Sequence, residues 1–366
     1  MSNRWHLESA QENFPRRSED WQRLARHVLG CDHPLASPDY VGPLLGHFGT
    51  ADVLLARRDE DGSGGMVLLQ RDRAGVWGSF QPHTGPFTFG LIPDDEHGSA
   101  DDAIDELIKA LPGYAILLAF NKLDPFHLAV RAQRHPDRTE RVDYYETLQI
   151  PTDRPFEDYW QERSKNLRRN IVKKTNRLAH QGITHQLVEL RDRADLAPAV
   201  AVYSALEQSG WKGEMGTAVD PQNASGRFYV DMLDRFAARG QAAIYQLRFD
   251  TEVVASAITI RGGDMLIILK IAYDEAMSDY SPGLLMMYEL HKLAFGMPDV
   301  KVIEYYGAAT PRAQQWAVRL RQLYHINCYR YAAFRKAVNV IRTARRRLSP
   351  AGSGAAGDAG SEAPDS

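Results

Sequence analysis

The 366-residue chain has only two cysteines, Cys31 and Cys328, far apart and outside any CxxC or Cys/His spacing. A disulfide framework or a zinc site is therefore not expected, and two reduced thiols are. There is no GxxxxGK(S/T), no GxGxxG after a strand, no HExxH and no GxSxG, and the 12 histidines are scattered without ligand spacing. These absences disfavour phosphate-loop kinases, Rossmann dehydrogenases, zinc hydrolases and α/β-hydrolases. No run reaches the roughly 18 apolar residues of a membrane span. Met1 to His6 has no apolar core of a signal peptide. A soluble, cytoplasmic protein is the expectation. Neither sign of charge dominates: 44 Lys and Arg face 47 Asp and Glu, for a net charge of -3. Wholesale nucleic-acid binding is thus not expected, although a local basic patch remains open.

What is present is the composition of a soluble globular protein, 44% hydrophobic and 25% charged, with length enough for two domains. Residues 17–30 carry apolar side chains at helical spacing (Trp21, Leu24, Ala25, Val28). Residues 52–57, 66–70 and 75–81 read as three strands, 101–111 as a helix and 114–120 as a strand. The same order returns later. Residues 242–249, 253–261 and 265–273 read as strands, 284–294 as a helix and 300–306 as a strand. Two copies of one mixed α/β unit are expected. Between them, 155–182 reads as one long helix with an apolar stripe of Phe156, Trp160, Leu167, Ile171 and Leu178. Asp153 would cap it, Pro155 would lie in the first turn and Gly182 would end it. Residues 348–366, rich in Ala, Gly, Ser, Pro and acid, read as a disordered tail.

Four segments could carry chemistry. In the first, a strand ending near Tyr273 leads through a polar loop to Tyr280-Ser281-Pro282-Gly283 and a helix. Ser281 suits an N-cap, Pro282 the first helical position and Gly283 a close approach of backbone or ligand. The amides and dipole of such a helix start can hold phosphate, although a plain helix start would look the same. Lys270 lies in an apolar run, so it must reach solvent, face a cleft or pair with an acid; Asp274 and Glu304 are candidates. In the second segment, alternation places Glu304 opposite Ile303 and Tyr305. Glu304 could deprotonate an incoming ammonium or merely pair with Lys270. In the third, Trp211 and Lys212 sit on a glycine-flanked loop after a helix at about 196–208, and could bracket an anionic or planar ligand. The fourth is a basic run from Arg163 to Arg177 without an acid, which could attract an anion or be a solvated face. A second basic helix, 331–348, reads as a docked terminal helix or a surface-binding one.

Taken in order, these residues resemble a known family. Asn166-Leu167-Arg168-Arg169-Asn170-Ile171, Trp211-Lys212-Gly213, Lys270 with Tyr273-Asp274, Tyr280-Ser281-Pro282-Gly283, and Glu304 through Trp316 are similar to the FemAB/CelD-like branch of the GNAT superfamily. The resemblance covers about residues 145–335. It implies two tandem GNAT-like subdomains with mixed, mostly antiparallel sheets: 1–145, then 146–347. It also implies an N-acyltransferase that takes an acyl group from acyl-coenzyme A, the cofactor, to a small-molecule or saccharide amine, with a link to cell-surface polysaccharide or envelope production. Ser281, Gly283 and Leu284 would fall at the cofactor loop, and Trp211 and Lys212 at the substrate. Glu304 or Asp274 would assist deprotonation and Tyr280 would protonate the leaving thiolate, with Lys270 beside them. The usual Gln/Arg-x-x-Gly-x-Gly/Ala loop of the superfamily is replaced by Tyr280-Ser281-Pro282-Gly283. Some FemAB-type proteins use aminoacyl-tRNA, so tRNA stands as an alternative partner, and a non-catalytic binding subunit as another.

Overall fold

The structure, a computed structural model, describes residues 5–59, 63–94, 99–130, 135–208, 219–220 and 222–348. Its strands are β1 (Trp5–Ser9), β2 (Leu54–Arg58), β3 (Met66–Arg73), β4 (Val76–Ser79), β5 (Gly90–Leu91), β6 (Leu117–Leu123) and β7 (Thr139–Pro151). They continue with β8 (His185–Leu190), β9 (Ala242–Phe249), β10 (Glu252–Gly262), β11 (Met265–Tyr273), β12 (Val302–Glu304) and β13 (Arg319–Tyr329). All belong to one sheet in the order β1-β2-β3-β4-β6-β13-β7-β12-β11-β10-β9-β8, with β5 beside β3.

One unit occurs twice in that order. β2, β3 and β4 form an antiparallel meander, the Ala100–Ala110 helix crosses over, and β6 returns parallel to β4. β9, β10 and β11 repeat the meander, the Pro282–Phe295 helix crosses over, and β12 returns parallel to β11. The repeat read from the sequence is thus the repeated lobe of a mixed α/β fold. β13 joins the lobes, antiparallel to β6 on one side and to β7 on the other. Residue 145 lies inside β7.

β11 reads Met265-Leu266-Ile267-Ile268-Leu269 because both its faces are covered. Met265 and Ile267 pack with the Arg193–Gln208 and Ala224–Ala237 helices. Leu266 and Ile268 pack on the other side with the Lys165–His180 and Pro282–Phe295 helices. Each such side chain, fully buried, contributes about 1.5–3 kcal/mol.

The single helix expected over 155–182 is two, Phe156–Glu162 and Lys165–His180. Arg163 turns extended (ψ 155°), and the Ser164 hydroxyl accepts the Leu167 amide as the cap of the second helix. The apolar stripe hides this break because Phe156, Leu167, Ile171 and Leu178 all enter one core on either side of it. Pro155 occupies the cap position of the first helix, leaving Asp153 no capping role. Gly182 does close the second, at φ +70°. The terminal helix spans Ala332–Leu348, and the tail beyond it lies outside the described residues. Among the described residues no helix is long and apolar enough to cross a membrane.

Candidate active site

β11 and β12 pair only from Met265–Val302 to Ile267–Glu304, and beyond that level they part. A β-bulge lies next to this splay. Ile268 pairs with Thr259 and Lys270 with Ile258, which leaves Leu269 as the extra residue. Strict alternation would put Lys270 on the face of Leu266 and Ile268; the extra residue turns it to the face of Ile267. On that face a cavity of about 230 Å³ opens between the lobes. Ile267 to Lys270, with Tyr306 and Gly307 past the end of β12, form one wall. Ser225 and Tyr229 of the 224–237 helix form another. The N-terminal lobe contributes Tyr40, His83 and Lys122.

Lys270 pairs with neither expected acid. Turned by the bulge toward the 193–208 helix, it meets Glu207 at 3.1 Å. Glu207 is buried and held by the Tyr203 hydroxyl at 3.1 Å and the Val219 amide at 2.7 Å. The Lys270 ammonium also lies 6.0 Å from the centre of the Tyr229 ring. Nearby, His83 Nε2 is 3.1 Å from Ser225 Oγ. Burial, and then the charges of Lys270 and Lys122, hold the His83 imidazole below its usual pKa, so it is neutral at pH 7. Lys122 donates to the Gly85 carbonyl at 2.8 Å, and burial lowers its pKa to about 8. No carboxylate lines the cavity among the described residues.

Glu304 stands behind this wall instead of on it. It is fully buried, accepts the Gln149 side-chain amide at 2.6 Å, and lies 2.7 Å from Arg321, a charge contact without an aligned hydrogen bond. Arg321 reaches Asp124 at 2.9 Å. Burial raises the Glu304 pKa to about 7 against the pull of Arg321. Arg321 lies 5.0 Å from the centre of the Tyr306 ring, and the Tyr306 hydroxyl is 2.7 Å from His33 Nε2. Glu304 therefore reaches the cavity through Arg321 and Tyr306.

The remaining sequence candidates sit at the far end of β11. Asp274 accepts the Ala276 amide at 2.9 Å and caps the short turn Glu275–Tyr280. The Tyr280 hydroxyl donates to Gln181, and its ring lies beneath Arg177. Ser281 is left-handed (φ +54°) and its hydroxyl turns back to the Ser278 carbonyl, so it does not cap the helix with its side chain. Leu284 packs half-buried against the core of the 282–295 helix. Trp211 and Lys212 lie outside the described residues.

An acyl-coenzyme A diphosphate would meet this helix start at the Ser281-Pro282-Gly283 turn. The Ser281 carbonyl takes the Leu284 and Leu285 amides at 3.0 and 3.2 Å, and Pro282 has no amide to offer. The Tyr273 ring lies over Gly283, where an added Cβ would meet it at 2.7 Å. Two first-turn amides are thus engaged within the helix, and the Tyr273 ring limits how closely a group can approach Gly283 from its side. The cleft beside Lys270 is open. Of the sequence candidates among the described residues, Lys270 alone lines the cavity; His83, Lys122, Tyr229 and Tyr306 were not among the candidates. The one local signal for any of these is Pro82-His83-Thr84-Gly85-Pro86, a histidine within turn-forming residues.

A meander, a crossover helix and a splayed parallel strand, repeated in tandem around a cavity, are the arrangement of a GNAT-like fold. Residues 165–311 match the family model described as an acetyltransferase (GNAT) domain, so this part of the chain carries a GNAT domain. Among solved structures the chain is similar to FemX, at 10% identity over 85% of this chain and 96% of that one, with a TM-score of 0.53. It is similar to the C-terminal domain of an Agrobacterium fabrum protein named as a lysylphosphatidylglycerol synthetase (13% identity, 89% and 96% coverage, TM-score 0.52). A Bacteroides thetaiotaomicron protein of unknown function gives 12% identity, 85% and 97% coverage and a TM-score of 0.54. At such identities the likeness shows the fold. No curated protein matches the sequence. The GNAT fold generally serves acyl transfer from acyl-coenzyme A to an amine.

Proposed function

We propose that the protein transfers an acyl group to an amine in the cavity beneath the β11–β12 splay. The observation that carries this reading is the position of the cavity: it opens where the two parallel strands of the GNAT domain separate, beside the bulge that presents Lys270. An activated acyl carbonyl placed at the splay would meet strand N–H groups that have lost their partner strand, and these can stabilise the developing oxyanion. The amine nitrogen forms the new bond to the carbonyl carbon, the bond from that carbon to the donor breaks, and the amine gives up a proton. Neutral His83, within the cavity wall, accepts that proton and passes it on to the departing thiolate or ribose oxygen of the donor, which leaves as the thiol or alcohol. Lys122 and Lys270 oppose an extra positive charge and so favour the unprotonated amine. Asp124, Arg321 and Glu304 act as positioning residues for Tyr306.

Acyl-coenzyme A is one candidate donor. An aminoacyl ester on tRNA is the second reading, favoured by the exposed Lys165, Arg169 and Lys173 on the 165–180 helix. FemX and the protein named as a lysylphosphatidylglycerol synthetase, as structural relatives, fit that reading, and an envelope or cell-surface acceptor fits both. Mass spectrometry of amine acceptors after incubation with acetyl-, longer acyl-coenzyme A or aminoacyl-tRNA tests the proposal, together with thermal shifts. A melting temperature raised by acetyl-coenzyme A supports the first donor. Salt-sensitive tRNA binding that is lost when Lys165, Arg169 and Lys173 are neutralised supports the second. No transfer and no binding of either donor overturns the enzymatic reading in favour of a binding subunit.

A further inference from the structure

Lys122 is held in a backbone conformation that lysine does not favour. Its φ is +53°, in the left-handed region where a Cβ crowds the carbonyl oxygen. The cause is a bulge in β6. Phe120 pairs with Ile326 and Leu123 with Tyr324, so Asn121 and Lys122 together face the single residue His325. Both bulged amides are met by side chains: Asn121 donates to Ser79 Oγ at 3.1 Å and Lys122 to His325 Nδ1 at 3.0 Å. Glycine or asparagine would fit this backbone at lower cost. Strain of this kind persists where the surrounding structure enforces it and often marks a functional position.

The charge of Lys122 is as unusual as its backbone. Lys122 lines the cavity, and its ammonium donates to one carbonyl, that of Gly85, out of three donors available. It makes no ion pair among the described residues, whereas Lys270 across the cavity is offset by Glu207. The cavity wall thus carries two lysines and a histidine against no carboxylate among the described residues. Removing an unpaired cation from water is unfavourable unless a counter-charge arrives.

We propose that Lys122 binds an anionic group, a carboxylate or a phosphate, carried by the molecule that enters the cavity. This deepens the acyl-transfer reading, on which it rests only for taking that molecule to be the amine acceptor. The acceptor is then an amine bearing its own anion, such as an amino acid or an amino-phosphate, and a simple alkylamine is a poor one. The anion offsets Lys122 and fixes the amine at the far end of the molecule toward the splay.

Paired probes test this on the full chain by calorimetric titration at fixed ionic strength: glycine against glycinamide, and O-phosphoethanolamine against ethanolamine. The wild type is expected to bind the anionic member of at least one pair about tenfold or more tightly, the effect of one charge-assisted hydrogen bond. The pair that shows the preference identifies carboxylate or phosphate. Lys122→Met and Lys122→Asn should lose the preference and Lys122→Arg should keep it. Lys122→Asn should melt at or above the wild type, because asparagine tolerates φ +53°. A wild type with no preference in either pair, or a folded Lys122→Met with the preference intact, overturns the proposal. The same variants in the transfer assay separate the two readings. Lys122-dependent binding without acylation of any amine sinks acyl transfer and leaves the anion site. Acylation of charged and uncharged amines alike, unchanged in Lys122→Met, does the reverse.

Discussion

The two copies of the repeated unit differ in what occupies the gap between their parallel strands. In the N-terminal copy, pairing of β4 with β6 ends at Gly78–Ala119, and the Ser79 hydroxyl then takes the Asn121 amide. Phe80, Phe89 and Phe120 are buried there, and Gly90 is so close that an added Cβ would meet the Phe120 ring at 2.9 Å. In the C-terminal copy, the gap past Ile267–Glu304 stays open and is lined by Lys270, Tyr306 and Gly307. Shared connectivity therefore does not give both halves a site. One crossover is packed as core, and its loop and bulge lend His83 and Lys122 to the cavity of the other.

Substitutions in the two gaps should separate these roles. Phe120→Ala, in the packed copy, should cost about 3–5 kcal/mol in chemical denaturation, with transfer per folded molecule retained. His83→Ala, at the open copy, should do the opposite: transfer lowered by about 10²–10⁴-fold at a nearly unchanged melting temperature. Equal loss of stability from both would erase the distinction.

The next effect is one of pH. Glu304 in the unfolded chain sheds its proton near 4.5, while burial keeps it protonated in the folded protein up to about 7. Between those values the unfolded state binds fewer protons, so this group's contribution to stability is full below 4.5 and declines as the pH rises through about 7. Denaturation midpoints across that window should fall more in the wild type than in Glu304→Gln. Parallel curves would mean that Glu304 stays ionised. The smallest effect is expected at the helix start of the open copy. Gly283→Ala should cost about 1–3 kcal/mol through overpacking against Tyr273, and Tyr273→Ala should remove that cost in a double-mutant cycle.

Much of this fold was legible because its central strands are buried on both faces. The ranges 242–249 and 265–273 stood out as apolar runs between turns, and the observed strands coincide with them. β7 and β13 were not anticipated; each mixes charged and aromatic residues, since part of each is only half-buried or exposed. The break at Arg163–Ser164 escaped because the apolar stripe keeps its phase across it. At the site, Lys270 was conspicuous as a charge within an apolar strand. Its partner was not, because a one-residue bulge redirects it to Glu207, 63 positions earlier. His83 and Lys122 reach the cavity only through the docking of one lobe on the other, which no local pattern encodes.

Filling the cavity tests the central claim most directly. Gly307 lines it, has a negative φ, and has no atom within 4 Å of an added Cβ, so Gly307→Phe can enter the space without disturbing the core. Single-turnover transfer, followed by mass spectrometry alongside the melting temperature, is expected to fall by about 100-fold or more with the fold intact, since misplacing reacting groups by about an ångström has that effect. Transfer at the wild-type rate from a folded Gly307→Phe protein would place the chemistry elsewhere.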